Sequence, residues 1–299
     1  MNESRPGAID IVVNPFTAVE IEKRQNGFDE TFMDQIRMPA DMRDGVSMER
    51  YAAIMDESRV EHSLLVAVRA GGRQMKYAIE VPYEQVADYC GARPTRYSGL
   101  AGVDPLMGMQ QLRDLEYAVK TLGFVGAHAY PHWFQLPPDA PQWYPIYAKC
   151  CELEVPIMMQ VGQNLIYRDH VRLPSVARPI LLDRIALDFP ELKLIGIHVG
   201  VPWADEMIAM AWKHENVHIG IDAYAPRHLP PSVVHYMNSH GSHKVLFGTD
   251  WPVIDPRRAV AEIEDLGLKP ASYERVMRLN ALEVFSALEA RLATRPQAR

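Results

Sequence analysis

Three groups able to move protons or hold a cation sit at or just past the ends of short apolar runs: His128 in VGAHAY, His198 in LKLIGIH and Asp250 after KVLFG. One carboxylate and two imidazoles make a general acid–base set, and the same three make a two-His, one-carboxylate ligand set for a first-row divalent metal. Around them, Asn14, Tyr130, His132, Trp133, Gln160, Gln163, Tyr224 and Trp251 also fall at or just after run ends. Amides and aromatic rings of this kind suit a pocket for a small organic ligand. Asp104 and Asp222 occupy similar positions and are assigned no role. His214, His218, His228, His235, His240 and His243 lie in mid-run, helical or loop positions and are read as structural or surface groups. Cys150 and Cys151 fall within a helical segment, which argues against a nucleophile.

The elements that must position these groups follow a repeat. Eight runs rich in β-branched residues, at 8–13, 63–68, 97–103, 125–130, 156–161, 192–198, 217–222 and 244–248, alternate with segments of helical period such as 107–122, 144–153, 179–189, 204–214 and 231–239. Strand followed by helix, eight times over, predicts an α/β protein built as a single (β/α)8 TIM barrel over residues 1–299. Such barrels place catalytic groups at the C-terminal strand ends, and alternate strands share an interior layer. Strands four, six and eight therefore bring His128, His198 and Asp250 together. Residues 15–46 are too long for an ordinary connection and read as a lid-like loop inserted after strand one. Segments 257–266 and 281–292 read as closing helices, and 293–299 as a flexible tail.

Composition narrows the partners. The 299 residues carry 31 basic and 38 acidic side chains, net −7, with neither sign in a block, which argues against a nucleic-acid surface. Three cysteines, two of them adjacent, do not make a disulfide framework. No apolar run reaches the roughly 18 residues of a membrane span, and MNESRPGAID lacks the order of a secretion signal, so no membrane partner and a cytoplasmic setting are expected. Eleven histidines are the one compositional hint of chemistry.

The segments GFVGAHAYPHW, LDFPELKLIGIHVGVPWADE and KVLFGTDWPV, with AIDIVVNPFT near the start, resemble the amidohydrolase superfamily, in the branch of aminocarboxymuconate semialdehyde decarboxylase. The resemblance implies an enzyme, a hydrolase or lyase of aromatic compound catabolism, that acts on a small organic acid, and it implies a homodimer. It also implies a metal held by a His-x-His pair ending strand one, a His ending strand five and an Asp ending strand eight, with a strand-six His beside the substrate. Carried over, those positions are Val12, Asn14, Gln160, Asp250 and His198, so only the last two match. Val has no donor atom and amide carbonyls are weak zinc ligands. The expectation is therefore a degenerate metal site with no bound cofactor. Asp250 would then act as general base with His198, and Asn14, Gln160 and His128 would bond the substrate. The alternative is a zinc or manganese ion on His128, His198 and Asp250. A rival from another class is a barrel that has lost its activity and only binds a ligand or partner.

Overall fold

The structure is a computed structural model, and it describes residues 7–25, 27–72, 75, 78–165 and 171–293. Eight strands, β1 (Ala8–Val13), β2 (Val60–Ala67), β3 (Tyr97–Gly102), β4 (Gly126–Ala129), β5 (Ile157–Gln160), β6 (Leu194–Ile197), β7 (Val217–Gly220) and β8 (Val245–Leu246), pair in chain order and in parallel. The seam between first and last is closed by Ile11 N–H donating to the Phe247 carbonyl at 3.2 Å and Asn14 N–H to the Trp251 carbonyl at 2.9 Å. A helix follows every strand: Met48–Ser58, Tyr83–Ala92, Met109–Lys120, Tyr144–Glu152, Leu182–Asp188, Ala204–Lys213, Pro231–Met237 and Pro256–Asp265. The barrel read from the sequence is the fold observed.

The strands are almost continuously buried, β1 on all six residues, because the helices cover the outer face while side chains fill the interior. Periodicity therefore located them well but set their ends only within a few residues. It set no bounds for the helices Met48–Ser58 and Tyr83–Ala92, which the strand–helix repeat required after the first two runs. The first is nonetheless well specified: Ser47 caps it by accepting from Arg50 N–H, and Tyr51, Ala52, Ile54 and Met55 bury one face. The expected closing helix at 281–292 is two helices, Asn280–Val284 and Ala287–Ala293, because Phe285 leaves helical geometry to bury its ring. Ala293 is thus helical, and the rest of the expected tail, 294–299, lies outside the described residues.

Residues 15–46 are not the plain loop that their length suggested. They hold helices Ala18–Glu22 and Glu30–Gln35 and a 3-10 turn at Ala40–Met42. Thr17 and Glu20 form a reciprocal capping box, and Glu20, fully buried, also accepts from Tyr89 O–H at 2.7 Å. Val46 N–H donates to the Phe16 carbonyl at 2.7 Å, pinning the two ends of the insertion together. A short antiparallel ribbon, Arg69–Ala70 with Ile79–Glu80, follows β2 beside it.

Inside the barrel, Asp10 of β1 is fully buried and ties the seam from within. Its carboxylate accepts from Thr249 N–H at 2.9 Å, Thr249 O–H at 2.6 Å and Val12 N–H at 3.3 Å. Burial pushes this carboxyl up to about 7 in spite of those bonds. A carboxyl raised in the folded state binds its proton more tightly there than when unfolded, so its contribution is full below the unfolded value near 4 and is lost as pH rises through 7. Urea unfolding between pH 4 and 8 is expected to show stability falling with pH, with Asp10 supplying up to about 4 kcal/mol of the change. Asp10→Asn should flatten that slope; an unchanged slope would remove Asp10 from the account.

Candidate active site at the barrel mouth

The C-terminal ends of β6, β7 and β8 are where the backbone leaves ordinary geometry. His198 and Val199 follow β6 at φ +65° and +61°, Ala223 follows β7 at +65° and Asp250 follows β8 at +54°. Non-glycine residues seldom adopt the left-handed region, and for a β-branched Val it is a true outlier. Strain of this order, about 1–3 kcal/mol each, persists where the surroundings over-determine the chain, and it gathers at functional sites.

What these turns accomplish is convergence. His198 N–H donates to Asp222 Oδ1 at 3.1 Å, and His198 Nε2 lies 3.2 Å from Asp222 Oδ2 and 3.7 Å from Asp250 Oδ2. The 3.2 Å approach lacks hydrogen-bond alignment, so neither His198 Nε2 nor Asp222 Oδ2, both buried, has a hydrogen-bond partner among the described residues. Asn14 Nδ2 donates to Asp250 Oδ1 at 2.8 Å and to the Trp251 carbonyl at 2.9 Å. Because both partners are acceptors, the amide orientation is fixed and the Asn14 carbonyl is turned away from Asp250. Three donor atoms with spare lone pairs remain, one each from His198, Asp222 and Asp250, all within 4.8 Å of one another.

Electrostatics follow from crowding. Burial raises the Asp250 carboxyl to about 7 against the pull of His198, with Asp222 raising it further and the Asn14 bond lowering it. Burial works against a charge on His198, but the Asp222 and Asp250 carboxylates outweigh it and hold the imidazole above the ordinary histidine value. The His198 and Asp250 side chains are 17% and 16% exposed, enough to meet a ligand, whereas Asp222 is sealed beneath them. Asp10 lies close enough below for Asp222 to raise it as well.

One imidazole and two carboxylates with an open side fit a first-row divalent metal, and the orphaned atoms of His198 and Asp222 are what such an ion would satisfy. The expectation of no cofactor is thus not supported by the geometry. The ligand set also differs from the expected one: Asp222 stands where His128 was placed. His128 lies within β4, with its ring 4.4 Å from that of Tyr130 and neither ring nitrogen partnered among the described residues. Burial first, then the charge of His198, push it down to about 3, so it is neutral. Asp222 was within reach of the sequence, since it ends the seventh run beside the strand that carries His198; what was missing was the knowledge that both turns bend inward.

Above the cluster lies a cavity of about 220 Å³. Seven of the eight residues expected to bind substrate line it: Asn14, Tyr130, His132, Trp133, Gln160, Gln163 and Tyr224, together with His198 and Asp250. Trp251 does not line it. Its ring is buried against Tyr51 at 5.0 Å, and only its carbonyl serves the site, by holding Asn14. Sequence reading missed the apolar wall from the insertion, Phe28, Phe32 and Ile36, whose spacing of four was the available signal. No Lys or Arg is among the described lining residues. Among the described residues no helix is long and apolar enough to cross a membrane.

Comparison with known proteins agrees with this architecture. Gamma-resorcylate decarboxylase of Rhodococcus jostii (strain RHA1) is 22% identical over 292 residues, covering 78% of this chain and 85% of that one. An uncharacterized TIM-barrel protein from Bordetella bronchiseptica superposes with a TM-score of 0.76 at 22% identity, over 95% of this chain and 99% of that one. A dihydroxybenzoic acid decarboxylase from Polaromonas sp. JS666, solved with bound manganese and the inhibitor 2-nitroresorcinol, superposes with a TM-score of 0.68 at 20% identity, over 94% and 97%. The model of the amidohydrolase family matches residues 38–287, most of the chain and every strand after β1. With the strand-end His and Asp in place, that match makes this chain a member of the amidohydrolase family.

Proposed function

We propose that this protein is a lyase that decarboxylates a single-ring, oxygen-substituted aromatic acid. The observation that carries the reading is the convergence of spare donor atoms from His198, Asp222 and Asp250 on the floor of a small, aromatic-walled cavity. The relatives named as decarboxylases of dihydroxybenzoic acids support the same reaction class. The retention of two strained, mutually facing side chains favours an active site over a barrel that only binds.

A divalent ion held by His198, Asp222 and Asp250 would supply the positive charge for the acid's carboxylate and an adjacent oxygen, which the described lining otherwise lacks. The chain's own residues do the rest. Phe28, Phe32, Trp133 and Tyr130 clamp the ring and exclude water, and the insertion at 15–46 serves as the lid of that chamber. Asp250 Oδ2 alternates between ligation and protonation, and in its protonated form Asp250 delivers that proton to the ring carbon that bears the carboxylate. The C–C bond then breaks, its electron pair stays with the ring, carbon dioxide leaves and Asp250 is left ionised. Asn14, bonded to Oδ1, fixes the plane of the Asp250 carboxyl, and the proton returns to Asp250 from solvent. Gln160 and Gln163 offer amide groups to the ring substituents. A homodimer in the cytoplasm is the setting we expect for it.

Two outcomes test this reading. Protein dialysed against Mn(II) and then desalted is expected to retain about one ion per chain, with Asp222→Asn weakening retention at least tenfold, as loss of a charged ligand should. Wild-type protein that holds no metal and turns over fully in chelator would restore the metal-free acid–base scheme. Release of carbon dioxide from a panel of mono- and dihydroxybenzoates is expected from the wild type, and Asp250→Asn should lower kcat by about 10²–10⁴ with a smaller change in KM. Unchanged turnover in that variant would remove Asp250 from proton transfer.

A further inference from the structure

His132 is left with half of its hydrogen bonding complete. The single helical turn Pro131–Phe134 after β4 sets it in the cavity wall, 3% exposed. Its Nδ1 accepts from Val176 N–H at 3.2 Å. A backbone N–H can be accepted only by a lone pair, so this bond assigns the proton of the neutral ring to Nε2. Val176 is itself held, because Gly162 N–H donates to the Ala177 carbonyl at 2.8 Å and Asn164 N–H to Ser175 Oγ at 2.8 Å. The chain after β5 thus clamps the imidazole before any ligand arrives.

Nε2 is buried and has no partner among the described residues. Burial, then the charge of His198, hold the ring down to about 4 against a weaker pull from the Pro174 carbonyl. His132 is therefore neutral at physiological pH and is no counter-ion for a carboxylate. What it holds in the cavity wall is a desolvated N–H donor. A ligand that fails to accept from it forfeits the bond and leaves the donor unpaired, which is how a polar site rejects an analogue lacking one atom.

We propose that His132 selects the substrate by donating its Nε2–H to an oxygen substituent on the ring, a hydroxyl, phenolate, methoxy or carbonyl oxygen, and so discriminates against rings that carry hydrogen or an amino group there. An aromatic amine is rejected because its lone pair is delocalised into the ring and its N–H groups would face a donor. The assignment rests on the single-ring acid of the proposed function and adds the substituent that is read.

Calorimetric titration of Mn(II)-loaded protein with benzoate, the three hydroxybenzoates and the three aminobenzoates tests it without relying on turnover. At least one hydroxybenzoate is expected to bind about tenfold or more tightly than benzoate and than its amino counterpart. His132→Phe should reduce that preference to within about threefold while benzoate affinity, the control for an intact pocket, stays within the same factor. His132→Gln, which restores a neutral N–H, should recover part of the preference. A preference kept in His132→Phe, or absent from the wild type, overturns the assignment, and binding of no acid at all overturns it together with the proposed function. Preferential binding without release of carbon dioxide removes the decarboxylase reading and leaves the role of His132 standing.

Discussion

The structure turns on an excess of buried negative charge. Asp10, Asp222 and Asp250 gather inside the barrel, with His198 as the cationic partner of the last two, and each buried carboxylate is costly unless paired. Space for Asp222 is provided by glycine: a Cβ at Gly220 would fall 2.9 Å from Asp222 Oδ1, and one at Gly248 would fall 3.0 Å from Asp222 Cβ. The excess is met from below by Thr249 and Val12 on Asp10, and at the rim by Asn14 on Asp250. That leaves Asp222 Oδ2 beside His198 Nε2, neither with a hydrogen-bond partner among the described residues.

Fold and chemistry meet at the seam. The contacts that close β1 onto β8, Ile11 to Phe247 and Asn14 to Trp251, also place Asn14 against Asp250. Trp251 shows the same economy in another form: its indole packs on Tyr51 in the core while its carbonyl holds the Asn14 amide. Closing the barrel and orienting the Asp250 carboxyl are thus one set of interactions. The left-handed turns at His198, Ala223 and Asp250 can be sustained because this seam and the flanking strands leave the chain no alternative path.

Much of this was legible in the sequence. Eight runs with helices between them sufficed for the barrel, and strand-end position sufficed to pick out His198, Asp250 and most of the cavity lining. The failures have physical causes. His128, two residues inside its run, sits within β4 with both ring nitrogens buried, and Trp251, three residues past the last run, turns its ring back into the core. Asp222 was passed over because a periodic pattern carries no information about a turn with φ near +65°. Residues 15–46 looked like loop because their helices are five and six residues long, too short to show a period, and are held by caps and by the buried Glu20.

Loss of the family's strand-one and strand-five ligand positions suggested a site without metal, but the carboxylate count argues the other way. A divalent ion neutralises in one step what would otherwise take two protons. Anomalous diffraction from crystals of the Mn(II)-loaded protein tests this most directly. The account predicts a single manganese peak bonded to His198 Nε2, Asp222 Oδ2 and Asp250 Oδ2, with Asn14 still donating to the other Asp250 oxygen. No peak there, with His198 instead aligned in a hydrogen bond to Asp222, would contradict it.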